Sequence, residues 1–78
     1  MIPTILRIHG YRFFFFSNEG FEEPHIHVES GDNYAKFWLK PVALVSSFGY
    51  NSSEITNLRK LVKQQEQLFW EKWHEYFA

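Results

Sequence analysis

The chain has no cysteine in its 78 residues. That excludes a disulfide framework and thiolate metal ligation, and it is compatible with a reducing compartment. No apolar stretch approaches the length needed to cross a membrane, and no basic leader precedes an apolar run, so a soluble, cytoplasmic chain with no membrane partner is expected. Neither sign of charge dominates. With a formal net charge of −1, bulk electrostatics do not call for nucleic acid, although a local basic patch is compatible with it. There is also no repeat, low-complexity stretch or linker, and the length suits one domain spanning residues 1–78.

What the chain does have is aromatic side chain. Phe, Tyr and Trp make up 21% of it, and 45% of all residues are hydrophobic. Large rings bury much area per residue, which is how a short chain offsets its folding entropy. This is more aromatic material than one small core needs. Part of it is expected at a surface that binds something, a second copy of the chain included.

The front of the chain is β-rich. Thr4 to Ile8 and Tyr11 to Ser17 are β-branched and aromatic, and His9-Gly10 between them suits a hairpin. Asn18 to Pro24 is polar and turn-forming. A third strand is predicted over His25 to Ser30, a turn at Gly31-Asp32-Asn33, and a fourth strand over Tyr34 to Leu39. Lys40-Pro41 interrupts, and Val42 to Ser46 makes a short fifth strand whose leading proline suits a sheet edge.

After Gly49 the period changes. Asn51 followed by Glu54 has the spacing of a capping box. Ile55, Leu58, Leu61, Val62, Leu68, Phe69, Trp73 and Tyr76 then recur at helical spacing as one apolar stripe. The simplest reading is one long helix over 52–77. A break could fall near Gln64-Gln65, but no Gly or Pro demands it. The fold class is therefore α+β, a four- to five-stranded, mostly antiparallel sheet packed on one long C-terminal helix.

Alternation assigns the faces. Ile26, Val28, Phe37 and Leu39 belong under the helix. The opposite face carries His25, His27, Glu29, Tyr34, Lys36, Trp38 and Lys40, with Arg12, Phe14 and Phe16 in phase on the neighbouring strand. A face so composed is neither an ordinary solvated surface nor a core.

The order of PTILR, GYRFFF, SNEG, PHIHV, KFWL and a final helix ending WHEYF resembles the bacterial domain-of-unknown-function family 4160. The resemblance runs over nearly the whole chain. It implies a small standalone protein encoded beside a second small protein, an arrangement like a toxin–antitoxin pair. It supplies no catalytic residues.

Three chemistries suit His25-x-His27. On a strand, residues two apart share a face at roughly 6.5–7 Å between Cα atoms. Imidazoles so placed can converge on one metal ion, although zinc wants a third and fourth ligand. Glu29 is too far along the strand, and His9 or His74 could contribute only if folding brought them close. Alternatively, His25 and His27 could act as a ribonuclease-like acid–base pair, with Lys36 and Arg12 neutralising phosphate. In the third reading the pair packs inside a protein interface built on Phe14, Phe16, Tyr34, Trp38 and Lys40. The composition of the face favours the third, an interaction component binding a small cognate protein or a second copy. RNA remains an alternative partner, with Tyr34 and Trp38 stacking bases and Lys36 and Lys40 on phosphates. At the helix end, Trp73 continues the core stripe, Trp70 and Phe77 lie at its edge, and His74 falls outside it.

Overall fold

The computed structural model describes residues 4–77. Five strands, β1 (Thr4–Ile8), β2 (Tyr11–Phe14), β3 (His25–Ser30), β4 (Asn33–Leu39) and β5 (Val42–Phe48), precede two helices, α1 (Ser52–Gln64) and α2 (Glu66–Phe77). The strands form one antiparallel sheet in the order β1-β2-β3-β4-β5. Each strand pairs with its sequence neighbour, through tight turns everywhere except the ten-residue loop 15–24 between β2 and β3. In the β1–β2 hairpin His9 has φ 52° and Gly10 φ 82°, the left-handed pair that a tight two-residue connection requires. The α+β class and the antiparallel sheet follow the sequence reading. The fifth strand runs two residues further than expected, to Phe48, with a bulge at Val45 between the pairs Phe37↔Leu44 and Lys36↔Ser46.

Alternation sorts the sheet as the pattern predicts. Phe13, Ile26, Val28, Ala35, Phe37 and Leu39 are buried on one face with Phe15, and Ile55, Leu58, Val62, Phe69 and Trp73 of the helices cover them. Phe13 meets Phe69 at 5.2 Å between ring centroids, and Phe15 meets Trp73 edge-on at 5.2 Å. Burying such rings supplies most of what holds a chain this short together.

The single long helix is a correction. The helical segment breaks at Gln65, whose φ −103° and ψ 12° leave the helical region. Its N–H still closes α1 onto the Leu61 carbonyl at 3.0 Å, while its own carbonyl accepts from Phe69 N–H and opens α2. A straight helix over 52–77 would be about 39 Å long at about 1.5 Å per residue, more than the 34 Å greatest extent of the molecule. With the break, both halves of the stripe lie on the sheet, α1 against β4 and β5 and α2 against β4. The break also shifts the phase of the last turns. Phe77, not Tyr76, packs against the core, and Tyr76 is exposed.

The start of α1 is as expected. Asn51 Oδ1 accepts from Glu54 N–H at 2.8 Å, and Glu54 Oε1 accepts from Asn51 N–H at 3.0 Å. Among the described residues no helix is long and apolar enough to cross a membrane.

Candidate metal centre

Strand geometry brings the histidines together. His25 and His27 project from the sheet face opposite the main helix-covered core, with ring centroids 5.0 Å apart. Cross-strand neighbours complete the face: His27 stands between Phe14 and Lys36, and His25 opposite Trp38. Phe14 stacks on the His27 ring at 5.4 Å and Phe16 meets it edge-on at 4.5 Å. His25 lies among Trp38 at 5.8 Å, Trp73 at 4.8 Å and His27.

This part of the face is not open, which corrects the expectation of an exposed sheet surface around the pair. His25 is 0% and His27 2% exposed. The segment from 15 to 24 leaves the ladder after Phe14 and folds back over β3. Turn bonds from Glu19 N–H to the Phe16 carbonyl and from Glu22 N–H to the Glu19 carbonyl shape it. Gly20 rests so close to the Phe77 ring that a β-carbon there would overlap it. Lys36 reaches up from β4 to Glu22 at 3.0 Å and ties the loop to the sheet.

The loop delivers Glu19. One carboxylate oxygen, Oε1, lies 2.7 Å from Nε2 of His25 and 2.7 Å from Nε2 of His27. The other ring nitrogens are also committed. His25 Nδ1–H donates to the Glu23 main-chain carbonyl at 2.8 Å, since a carbonyl can only accept. His27 Nδ1 bonds the Tyr34 hydroxyl at 2.7 Å. With Nδ1–H of His25 spent on a carbonyl, Nε2 of the neutral ring is a lone pair aimed at a carboxylate oxygen. The contact is satisfied by a proton on Nε2 or by a cation between the two atoms. Three ligand atoms, one each from Glu19, His25 and His27, lie within 4.8 Å of one another.

The electrostatics are tuned by burial. Burial alone would raise the Glu19 carboxyl, but hydrogen bonds from His25 and His27 outweigh it and hold the group below its ordinary value. Burial pushes the His27 imidazole down; Glu19 offsets part of this, and the charges of His25 and Lys36 deepen it. Burial and the Glu19 charge together raise the Tyr34 phenol, which therefore stays protonated.

The other residues singled out from the sequence divide in two. Phe14, Phe16, Tyr34 and Trp38 wall or support the histidine pair. Arg12 stands further off, bonded to Glu29 at 3.0 Å and Thr4 at 2.8 Å, with its guanidinium 4.5 Å over Phe14. Lys40 is exposed, over the Trp70 ring at 4.7 Å. Glu29, read as too far along the strand, pairs with Arg12, and folding does not bring the other two histidines close: His9 is exposed in the hairpin turn, and His74 bonds the Trp70 carbonyl at 2.9 Å. The residue missed was Glu19. Its only sequence signal was an acidic residue in a short loop entering the histidine strand.

The sequence pattern of DUF4160, described as a domain of unknown function, matches residues 10–74. The chain belongs to this family. Glu19, His25, His27, Tyr34 and the loop between strands all fall inside the DUF4160 match. No curated protein and no solved structure matches the chain. For this DUF4160 chain the roles of the residues therefore rest on the site's own geometry.

Proposed function

We propose that the chain is a metal-binding protein that holds one divalent transition-metal ion of the zinc class through Glu19, His25 and His27. The observation that carries this is the convergence of both Nε2 atoms on one carboxylate oxygen, while both Nδ1 atoms already have oxygen partners. Metal-ligating histidines have this outer arrangement, one nitrogen on the ion and the other fixed by a carbonyl or hydroxyl. Two imidazoles and a carboxylate are the donor set that zinc, nickel and ferrous ions accept. Tetrahedral ligand atoms around such an ion stand about 3.3 Å apart at bonds of about 2.0–2.1 Å. The 2.7 Å contacts then lengthen by about 0.6 Å, and Glu19, on a loop, is the residue able to give way. The ion would fasten the loop to the sheet.

Acid–base catalysis is less well supported. A general acid or base must reach its substrate, and here all four ring nitrogens are engaged beneath the loop. Metal analysis of untagged protein, dialysed without chelator, tests the proposal. Close to one ion per chain is expected, lost in the His25→Ala/His27→Ala variant and reduced in Glu19→Gln. Folded protein that takes up neither zinc nor nickel at about 0.1 mM would sink it.

A second reading, the interaction component of a toxin–antitoxin-like gene pair, is supported by a different place than the histidine face. β5 is an edge strand with Val45 and Phe48 exposed, and Phe21 stands out at the loop tip. Exposed edges and large apolar side chains favour a partner. Co-purification with the product of the neighbouring gene, abolished by Phe48→Asp, is the expected result. Unchanged co-purification in that variant would remove β5 from the contact.

A further inference from the structure

Beside the loop lies a hollow that the metal centre does not use. It has a volume of about 350 Å³ and is lined by Glu23, Pro24, Trp38, Lys40, Pro41, Ala43 and Trp70. The size falls at the small end of ligand sites, which run from about 300 to 1,000 Å³. Its walls are apolar and stiff. Pro24 is fixed by a hydrogen bond from Leu39 N–H to its carbonyl at 3.1 Å, and Trp38 is braced edge-on by His25.

Charge decides the class of ligand. Each indole already carries an ammonium group, Lys36 at 4.9 Å over Trp38 and Lys40 at 4.7 Å over Trp70. A further cation would be repelled, which disfavours the quaternary ammonium ligands that aromatic cages otherwise take. Lys36 is neutralised by Glu22. Lys40 and the Glu23 carboxylate enter no ion pair among the described residues. The rim thus offers one free cation, one free carboxylate and two indole walls.

We propose that the hollow between Trp38 and Trp70 binds a guanine nucleotide, with the exposed Lys40 side chain leaving the Trp70 ring for the phosphate, the base taking its place against the indoles and the base edge on Glu23. Stacking on indole is open to any base. The carboxylate adds selectivity, because guanine alone among the common bases presents two adjacent donors, N1–H and N2–H, to one carboxylate. Lysine is a usual point-charge partner for phosphate. The ligand is either a free nucleotide or the guanine end of an RNA strand, which share this chemistry.

The test uses the full chain, with indole N–H resonances and tryptophan fluorescence as readouts. GMP is expected to bind saturably and to shift Trp38 and Trp70, with AMP weaker by about tenfold, the effect of losing a charged hydrogen bond. Lys40→Ala should weaken GMP by about tenfold while leaving guanosine unchanged, and Glu23→Gln should erase the preference over AMP. Both side chains are exposed, so the variants should fold; melting curves check this. A 5′-phosphorylated dinucleotide beginning with guanosine, binding tighter than GMP, assigns the site to RNA ends; equal binding assigns it to free nucleotide. No saturable change up to about 10 mM GMP, equal binding by both folded variants, or choline binding in place of GMP would overturn the proposal. Metal content enters none of these readouts, so failure here is separable from failure of the metal site.

Discussion

The Tyr34 hydroxyl lies 2.7 Å from Nδ1 of His27. The bond crosses the β3–β4 pair, where Tyr34 stands opposite Glu29 and next in phase to Lys36, the partner of His27. The rings of Tyr34 and His27 are also stacked, with centroids 5.7 Å apart. Because the half-buried phenol stays protonated, it can serve His27 in either state. It donates to Nδ1 when Nε2–H faces Glu19, and accepts from Nδ1–H when Nε2 faces an ion.

Tyr34→Phe should therefore act on the site more than on the fold. The stacked ring remains, while a buried Nδ1 loses its only described partner. A loss of about 1–2 kcal/mol in unfolding free energy is expected, measured by urea denaturation. Zinc affinity should fall by about tenfold to a hundredfold, as for other lost outer partners of a ligating histidine. Unchanged zinc affinity in a folded variant would show that the hydroxyl does not orient the ring for an ion.

Gly20→Val should lift the loop from its seat. The new side chain meets the Phe77 ring, so either α2 or the loop must move, at a cost of about 1–3 kcal/mol. The loop is the cheaper one to move, since turn bonds, side-chain hydrogen bonds and the Lys36–Glu22 pair hold it and no strand ladder does. Glu19 moves with it. Faster proteolysis within 16–24 and weaker zinc binding are the expected readouts, with the helical circular dichroism signal preserved.

How much of this was legible beforehand depends on the range of each interaction. Faces within a strand follow from a period of two, so Phe13, Ile26, Val28 and Phe37 could be placed under the helix and His25 beside His27. The Asn51–Glu54 cap is equally local. The fold-back of the loop is not. Whether 16–24 stands away from the sheet or lies over β3 depends on Gly20 meeting Phe77, a contact between opposite parts of the chain. Glu19 was therefore invisible as a ligand, and a face that read as open turned out to be covered. The break at Gln65 could be allowed for near Gln64-Gln65 but not required, because no helix-breaking residue marks it and its φ and ψ are not written in local sequence.

Acid should destabilise the metal-free chain in two steps of the same sign. His27 has a folded pKa below its unfolded value of about 6.5. As pH falls through that value the unfolded chain takes up the proton first, and stability drops. Glu19 is likewise depressed below its unfolded value of about 4.3. Its contribution is present above that value and lost as pH falls further, toward its folded pKa. Thermal melts in chelator from about pH 7.5 to about pH 3 should show Tm falling through both windows. In His27→Gln the upper step should be absent and the lower one weakened, since Glu19 then keeps only the His25 imidazole to hold its carboxyl down. A Tm that rises between pH 6.5 and 5.5 would contradict the buried, proton-poor state of His27.

Asn51→Ala separates stability from the site. The side chain accepts the Glu54 N–H at the first turn of α1, and alanine leaves that donor to water while Glu54 loses its reciprocal geometry. A destabilisation of about 1 kcal/mol is expected. In a domain of this size that lowers Tm by about 4–8 °C. α1 packs on β4 and β5, on the other face from Glu19 and the histidines, and the loop is held by β3, β4 and the end of α2. Zinc affinity measured well below the melting range should therefore match the unmodified chain. A parallel loss of zinc binding would mean that the loop and α1 form one cooperative unit, and that the Tyr34 and Gly20 effects must be judged against global stability.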